Sequence, residues 1–259
     1  DLHSFPTRRS SDLICCKWAN IKNKKGKADA ARGSVFTKIG REIAVAVKAG
    51  GPDPNSNSKL RDVIAKAKQN NMPNDNIMRS IKKASGELNA VNYEDMQYEG
   101  YAAGGVAVIV EALTDNKNRT AGDVRHAFDK CGGSMGSTGC VSYLFKKKGL
   151  VLAEAGKGMT EDDVMMLALD AGADDVVNDE ENVYEIYTLP ADVNDVKEAL
   201  EKGGMNILSF ESGFYPDDYV TPAEEAIPMI EKLIGMLEEN DDVQNVYHNA
   251  DLPEEEDED

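Results

Sequence analysis

Between positions 17 and 92 the chain carries 16 Lys and Arg residues against 6 Asp and Glu, a net charge of +10. The density peaks where Lys17, Lys22, Lys24, Lys25 and Lys27 surround Trp18. Arg32, Lys38 and Arg41 continue the run, Lys59, Arg61, Lys66 and Lys68 follow, then Arg79, Lys82 and Lys83. Ammonium and guanidinium groups at this density are suited to a phosphate backbone, because each neutralised phosphate releases condensed counterion. Contact with about 5 phosphates would give log K a slope of roughly −3.5 to −4.5 against log salt. Trp18 fits either a core anchor beside Ile21 or a base-stacking platform. Residues 93–259 reverse the balance, with 11 cations against 39 acids, a net of −28. A basic module on an acidic carrier fits polyanion binding, and it also fits two halves that dock on each other. Charge alone does not separate those readings.

A second candidate lies at Thr114-Asp115-Asn116-Lys117-Asn118-Arg119-Thr120, between a β-rich run and a helical pattern. Lys117, Arg119 and a helix N-terminus there could hold a phosphate; a simple capped turn fits equally. Gly132-Gly133-Ser134-Met135-Gly136-Ser137-Thr138-Gly139 lacks the GxxxxGK[ST] order and reads as a flexible connection. Signals for catalysis are weak. His3, His126 and His248 are isolated, and no carboxylate pair stands out as an acid and base. Cys15, Cys16, Cys131 and Cys140 show no spaced pair with metal-ligand geometry, so free thiols are expected and no zinc. The reading is of a protein that is not an enzyme, with no cofactor and no metal. No apolar run reaches the length of about 20 residues that a membrane-spanning helix needs.

The elements that must position these groups follow from periodicity. Val35/Phe36, Ile39, Ile43 and Val47 mark one face of a helix over 28–48, stopped by Gly50-Gly51-Pro52. Leu60, Ile64 and Ala67 mark a second helix. Pro73 opens a third with Ile77, Ile81 and Ala84 inward, closed by Gly86. Short loops between them predict a three-helix domain. Strands are expected at 93–101, 106–110, 140–145, 150–152, 176–177, 184–187, 207–210 and 243–247. Helices are expected at 119–130, 160–171, 190–202 and 223–239, with Pro228 disturbing the first turns of the last. This strand and helix alternation indicates layered α/β or α+β units. Residues 1–14 fit no structural period and read as a cloning or assembly scar, and the acidic run from Glu254 to Asp259 as a solvated tail.

Several ordered blocks carry a resemblance. Lys17-Trp18-Ala19-Asn20-Ile21-Lys22, Lys24-Lys25-Gly26-Lys27-Ala28-Asp29-Ala30-Ala31-Arg32-Gly33 and Phe36-Thr37-Lys38 come first. Gly50-Gly51-Pro52-Asp53-Pro54-Asn55 with Asn57 and Leu60-Arg61 follow, then Met72-Pro73, Tyr98-Glu99-Gly100-Tyr101 and the Thr114–Thr120 block. Asp241-Asp242-Val243-Gln244-Asn245-Val246-Tyr247-His248-Asn249 completes the series. Together they resemble the YebC/PmpR family over residues 17–252. That resemblance implies an α+β multidomain fold: an N-terminal three-helix domain followed by two α/β sandwich-type domains, one inserted in the other. Its expected divisions are a non-native or disordered leader (1–16), the basic helical domain (17–92), a central domain (93–145 plus 207–250), an insert (146–206) and an acidic tail (251–259). It implies cytoplasmic transcriptional regulators that bind DNA, with relatives that activate mitochondrial translation or relieve ribosome stalling at proline-rich stretches. The expected partners are therefore DNA, or ribosomal or transfer RNA with ribosome association, and no membrane. The expected contacts are Lys17, Trp18, Lys22, Lys24, Lys25, Lys27, Arg32, Lys38, Arg41, Lys59, Arg61, Lys117 and Arg119. A protein adaptor whose basic domain binds an acidic partner is the remaining class. Two departures stand out. Ile14-Cys15-Cys16 replaces the family's Gly-His-Ser before Lys17, and Ala102-Ala103-Gly104-Gly105 replaces its Gly-Pro-Gly-Gly turn.

Overall fold

The computed structural model describes residues 32–86, 92–180 and 182–252. The leader, the Lys17–Lys27 cluster with Trp18, and residues 253–259 of the tail lie outside the described residues. In chain order the first elements are α1 (Arg32–Gly50), α2 (Ser58–Gln69), α3 (Asn74–Ser85), β1 (Glu94–Tyr101), β2 (Ala107–Thr114), α4 (Lys117–Lys130) and β3 (Ser134–Met135). Then come β4 (Phe145–Glu154), α5 (Glu161–Asp170), β5 (Asp175–Glu180), β6 (Val183–Thr188), α6 (Val193–Lys202), β7 (Asn206–Pro216), α7 (Ile227–Glu238) and β8 (Val243–His248). They form an α+β protein with two antiparallel four-stranded sheets. Two compact units divide the described residues: 32–143 with Pro222–His248, and Leu144–Thr221 with 249–252.

In the first unit, α1 to α3 close on one apolar core of Ile39, Ile43, Ala46, Val47, Leu60, Val63, Ala67, Met72, Ile77 and Ile81. The expected Ile39, Ile43, Val47, Leu60, Ala67, Ile77 and Ile81 are among them. Val35, Phe36, Ile64 and Ala84, also expected inward, are only partly buried, and Ala46, Val63 and Met72 complete the core. Each fully buried Ile or Leu contributes about 1.5–3 kcal/mol. Asn57 fastens the turn between α1 and α2. Its side-chain oxygen accepts the Leu60 N–H at 3.1 Å, capping α2, while its amide donates to the carbonyls of Ala46 at 2.7 Å and Gly51 at 2.9 Å. Gly50 is needed beside it, because a Cβ there would lie 2.7 Å from the Asn57 side chain.

The sheet of this unit has the order β3-β1-β2-β8. β2 is buried along its length, which explains its continuous Val/Ile run. α4 and α7 pack on the sheet and on each other. The turn from β1 to β2 keeps glycine at both positions of positive φ, Gly104 at 72° and Gly105 at 76°, so alanine at 102 and 103 is tolerated. α7 follows a short 3₁₀ turn over Glu224–Ala226 and has Pro228 in its first turn. There the missing N–H costs nothing, so the expected disturbance falls before the helix.

The glycine-rich segment after α4 is more ordered than its composition suggests. Ser134 and Met135 form an edge strand opposite Tyr101 and Gly100. A Cβ on Gly100 would come within 2.5 Å of the Ser134 carbonyl oxygen and 2.9 Å of the Phe128 ring. The strand expected at 140–145 does not form. Buried Glu99 instead accepts the backbone N–H groups of Gly139, Val141 and Ser142, each at 2.9 Å, and Gln97 donates to it at 3.1 Å. Those N–H groups are thereby withheld from a ladder, and a 3₁₀ turn over Ser142–Leu144 leads into β4.

The second unit runs β4-α5-β5-β6-α6-β7, with sheet order β5-β6-β4-β7. This is the βαββαβ arrangement, with both helices on one face. Val151, Ala153, Val164, Ala168, Ile186, Val196 and Leu200 are central in its core. Thr160 and Asp163 form a reciprocal capping box at the start of α5. β7 pairs with β4 from Asn206 to Pro216, so this sheet extends beyond the boundary expected at 206, and the 207–210 strand is the start of a longer one. The polar centre Glu211-Ser212-Gly213 and a bulge opposite Leu152/Ala153 interrupt the apolar alternation that would have revealed it.

Candidate nucleic-acid interface

The cations singled out by the sequence separate into groups. Lys17, Lys22, Lys24, Lys25 and Lys27, with Trp18, are outside the described residues, and Arg32 is the first residue of α1. Lys59 and Arg61 stand exposed on α2, next to exposed Lys68, and α3 exposes Arg79, Lys82 and Lys83. Burial of Leu60, Val63 and Ala67 on α2, and of Ile77 and Ile81 on α3, turns these cations outward. Among the described residues none of these six is bridged to a carboxylate. Residues 58–85 contain seven cations and two acids, a net of +5.

Lys38, Arg41, Lys117 and Arg119 are engaged within the fold. Lys38 Nζ donates to the Glu238 carbonyl at 2.7 Å. Burial pushes its ammonium below the ordinary lysine value, and Glu238 and Asp241 oppose that fall. Arg41 donates to Asp242 Oδ1 at 2.5 Å and to the carbonyls of Asp241 at 2.7 Å and Leu113 at 3.3 Å. Its guanidinium also lies over the Tyr93 ring, 5.6 Å from the centroid. Lys117 pairs with Glu94. That pair is half-exposed and therefore weak. Arg119 bridges Asp115 Oδ1 at 2.8 Å and Asp242 Oδ2 at 2.7 Å. The phosphate reading of the Thr114–Thr120 turn thus meets an occupied site, since Asn116 caps α4 through the Arg119 N–H and protein carboxylates already take the cations.

Asp242, which sequence reasoning placed only within a family block, is the centre of this arrangement. Its side chain is 5% exposed and accepts from Arg41, Arg119, the Thr120 hydroxyl at 2.7 Å and the Thr114 hydroxyl at 3.2 Å. Burial works against its charge. Hydrogen bonds from Arg119, Thr120 and Arg41, with the Arg41 charge, outweigh that cost and hold the carboxyl at about 2. Glu99 follows the same logic: burial raises its pKa, but three backbone N–H groups and Gln97 lower it further, to below the ordinary carboxylate value. Glu99 likewise stood only within a family block, Tyr98-Glu99-Gly100-Tyr101. No local pattern points to Asp242.

A basic three-helix bundle followed by two antiparallel sheets with helices packed on them defines a multidomain α+β protein. Relatives match this chain over most of its length. A probable transcriptional regulatory protein of Clostridium botulinum (strain Okra / Type B1) is 59% identical over 238 residues, covering 92% of this chain and 96% of that protein. One from Acetivibrio thermocellus is 59% identical over 234 residues, covering 90% and 96%. The crystal structure of a conserved hypothetical protein from Aquifex aeolicus superposes with a TM-score of 0.77 at 48% identity, over 89% of this chain and 94% of that one. The family description "TACO1/YebC protein N-terminal domain" matches residues 16–87, and "TACO1/YebC second and third domain" matches residues 93–250. The chain belongs to the TACO1/YebC family.

Proposed function

We propose that the protein is a nucleic-acid-binding regulator of gene expression, a DNA-binding transcriptional regulator that acts in the cytoplasm without catalysis. The observation that carries this reading is the outward surface of α2 and α3, where Lys59, Arg61, Lys68, Arg79, Lys82 and Lys83 are exposed and unbridged among the described residues. The Lys17–Lys27 cluster adds five cations ahead of α1 in sequence. The relatives' description as probable transcriptional regulatory proteins supports the regulatory role. A ribosome-associated factor is the second reading, binding ribosomal or transfer RNA and relieving stalling at proline-rich stretches. It is favoured by the charge of −28 on residues 93–259, which repels a long duplex but leaves one end able to enter a structured RNA pocket.

Salt-titrated binding to duplex DNA, run alongside ribosome co-sedimentation, tests both. The wild-type chain should bind with a steep salt slope. Lys59→Glu with Arg61→Glu should flatten that slope by about 2, with the melting temperature unchanged because both side chains are exposed. Ribosome sedimentation without duplex binding would select the second reading. Absence of nucleic-acid binding at low salt would refute both.

A further inference from the structure

The unit spanning Leu144–Thr221 contains 18 acids and 6 lysines, a net of −12. On α5, Val164 and Ala168 face the core, and Leu167 packs against Gly203 after α6. The opposite side of the same helix exposes Met165 (41%), Met166 (66%) and Leu169 (56%). Met165 and Leu169 are four residues apart, Met166 and Leu169 three, so they form one contiguous apolar stripe. Adjacent large hydrophobics left in water on one short helix mark an interaction surface more than a packing accident. Methionine suits such a surface because its unbranched thioether adapts to varied side chains.

The rim of the stripe limits what can cover it. α5 contains no basic residue, and Glu161, Asp162, Asp163 and Asp170 are all exposed. By the helical period Asp162 lies one turn above Met166 in the stripe, and Asp170 flanks it. Neighbouring α6 adds exposed Asp195, while its Glu198 and Glu201 pair with Lys202 and Lys197 of the same helix. Nucleic acid and anionic lipid are repelled by this field. A twofold contact of the face with itself would oppose like charges. A cationic polypeptide with apolar side chains satisfies both stripe and rim.

We propose that the outer face of α5 is a docking surface for a Lys/Arg-rich amphipathic segment of another protein. The segment's apolar side chains seat on Met165, Met166 and Leu169, and its cations face the acids around them. The surface is separate from the basic face of α2 and α3, so it stands or falls independently of nucleic-acid binding.

The test is fluorescence anisotropy on the full chain at physiological salt. The probe is a labelled synthetic Lys/Leu peptide with leucine at helical spacing, and the controls are its scrambled sequence and a Glu/Leu counterpart. The amphipathic cationic peptide should bind, the scrambled one about tenfold more weakly, and the acidic one should fail to bind. Met166→Asp with Leu169→Asp should weaken binding about tenfold, with circular dichroism and thermal melting unchanged. Asp162→Lys with Asp170→Lys should also weaken it. Equal affinity for the scrambled peptide would reduce the interaction to bulk charge and overturn the proposal. So would unaltered binding by the Met166/Leu169 variant, or light scattering that shows a wild-type dimer dissociated by that variant.

Discussion

Replacing Asp242 with asparagine keeps the size of the side chain and one acceptor but removes the charge shared by Arg41 and Arg119. The wild-type carboxyl is held at about 2 in the fold, against an ordinary value of 3.8. That difference stabilises the folded state by roughly 2.5 kcal/mol at neutral pH. Because the folded pKa is the lower one, the contribution is complete above pH 4 or so. It declines as pH falls from about 4 toward 2, where the wild-type carboxyl also becomes protonated. Asp242→Asn should therefore lose roughly 2.5 kcal/mol at pH 7, a fall in melting temperature of about 5–10 °C for a unit of this size. The gap between variant and wild type should narrow steadily below pH 4. Urea titrations of both proteins at pH 7, 5 and 3.5 measure it directly, and other carboxylates cancel in the difference. A gap below about 0.5 kcal/mol at pH 7, or one that stays constant down to pH 3, would refute the assignment of Asp242 as a charged hub.

Two further perturbations probe features that position the bundle and the loop. Asn57→Ala removes a helix cap and leaves the Ala46 and Gly51 carbonyls without their donor, so it should cost about 2–3 kcal/mol by urea denaturation. Glu99→Gln keeps the shape but weakens the acceptors for Gly139, Val141 and Ser142. It should accelerate amide hydrogen exchange at those three positions and cost about 1–2 kcal/mol, while exchange in α1 stays unchanged.

Periodicity carried much of the fold into view. Ile39, Ile43 and Val47 mark the inner side of α1, Val106 to Val110 mark a strand buried on both faces, and the Asn57 turn and Pro73 delimit α2 and α3. Tertiary contacts hid the rest. β3 is two residues long and sits among glycines, so neither side-chain alternation nor β-propensity announces it; close approach at Gly100 does. β7 has a polar middle and a bulge. The cations posed the main difficulty, because a lysine or arginine reads alike whether it faces water or a carboxylate. Lys59 and Arg61 are indistinguishable in type from Lys38 and Arg41, yet the second pair is fixed by groups about 200 positions away. Local sequence holds no record of such a partner.

That separation bears on how the protein is made. At about 5–20 residues per second, the ribosome needs roughly 10–40 s to deliver Asp242 after Arg41 has been synthesised. Throughout that interval the Arg41 guanidinium lacks its carboxylate partner, beside the very polyanion that is building the chain. Only the delivery of Asp242 supplies the charge that neutralises Arg41 and Arg119 together.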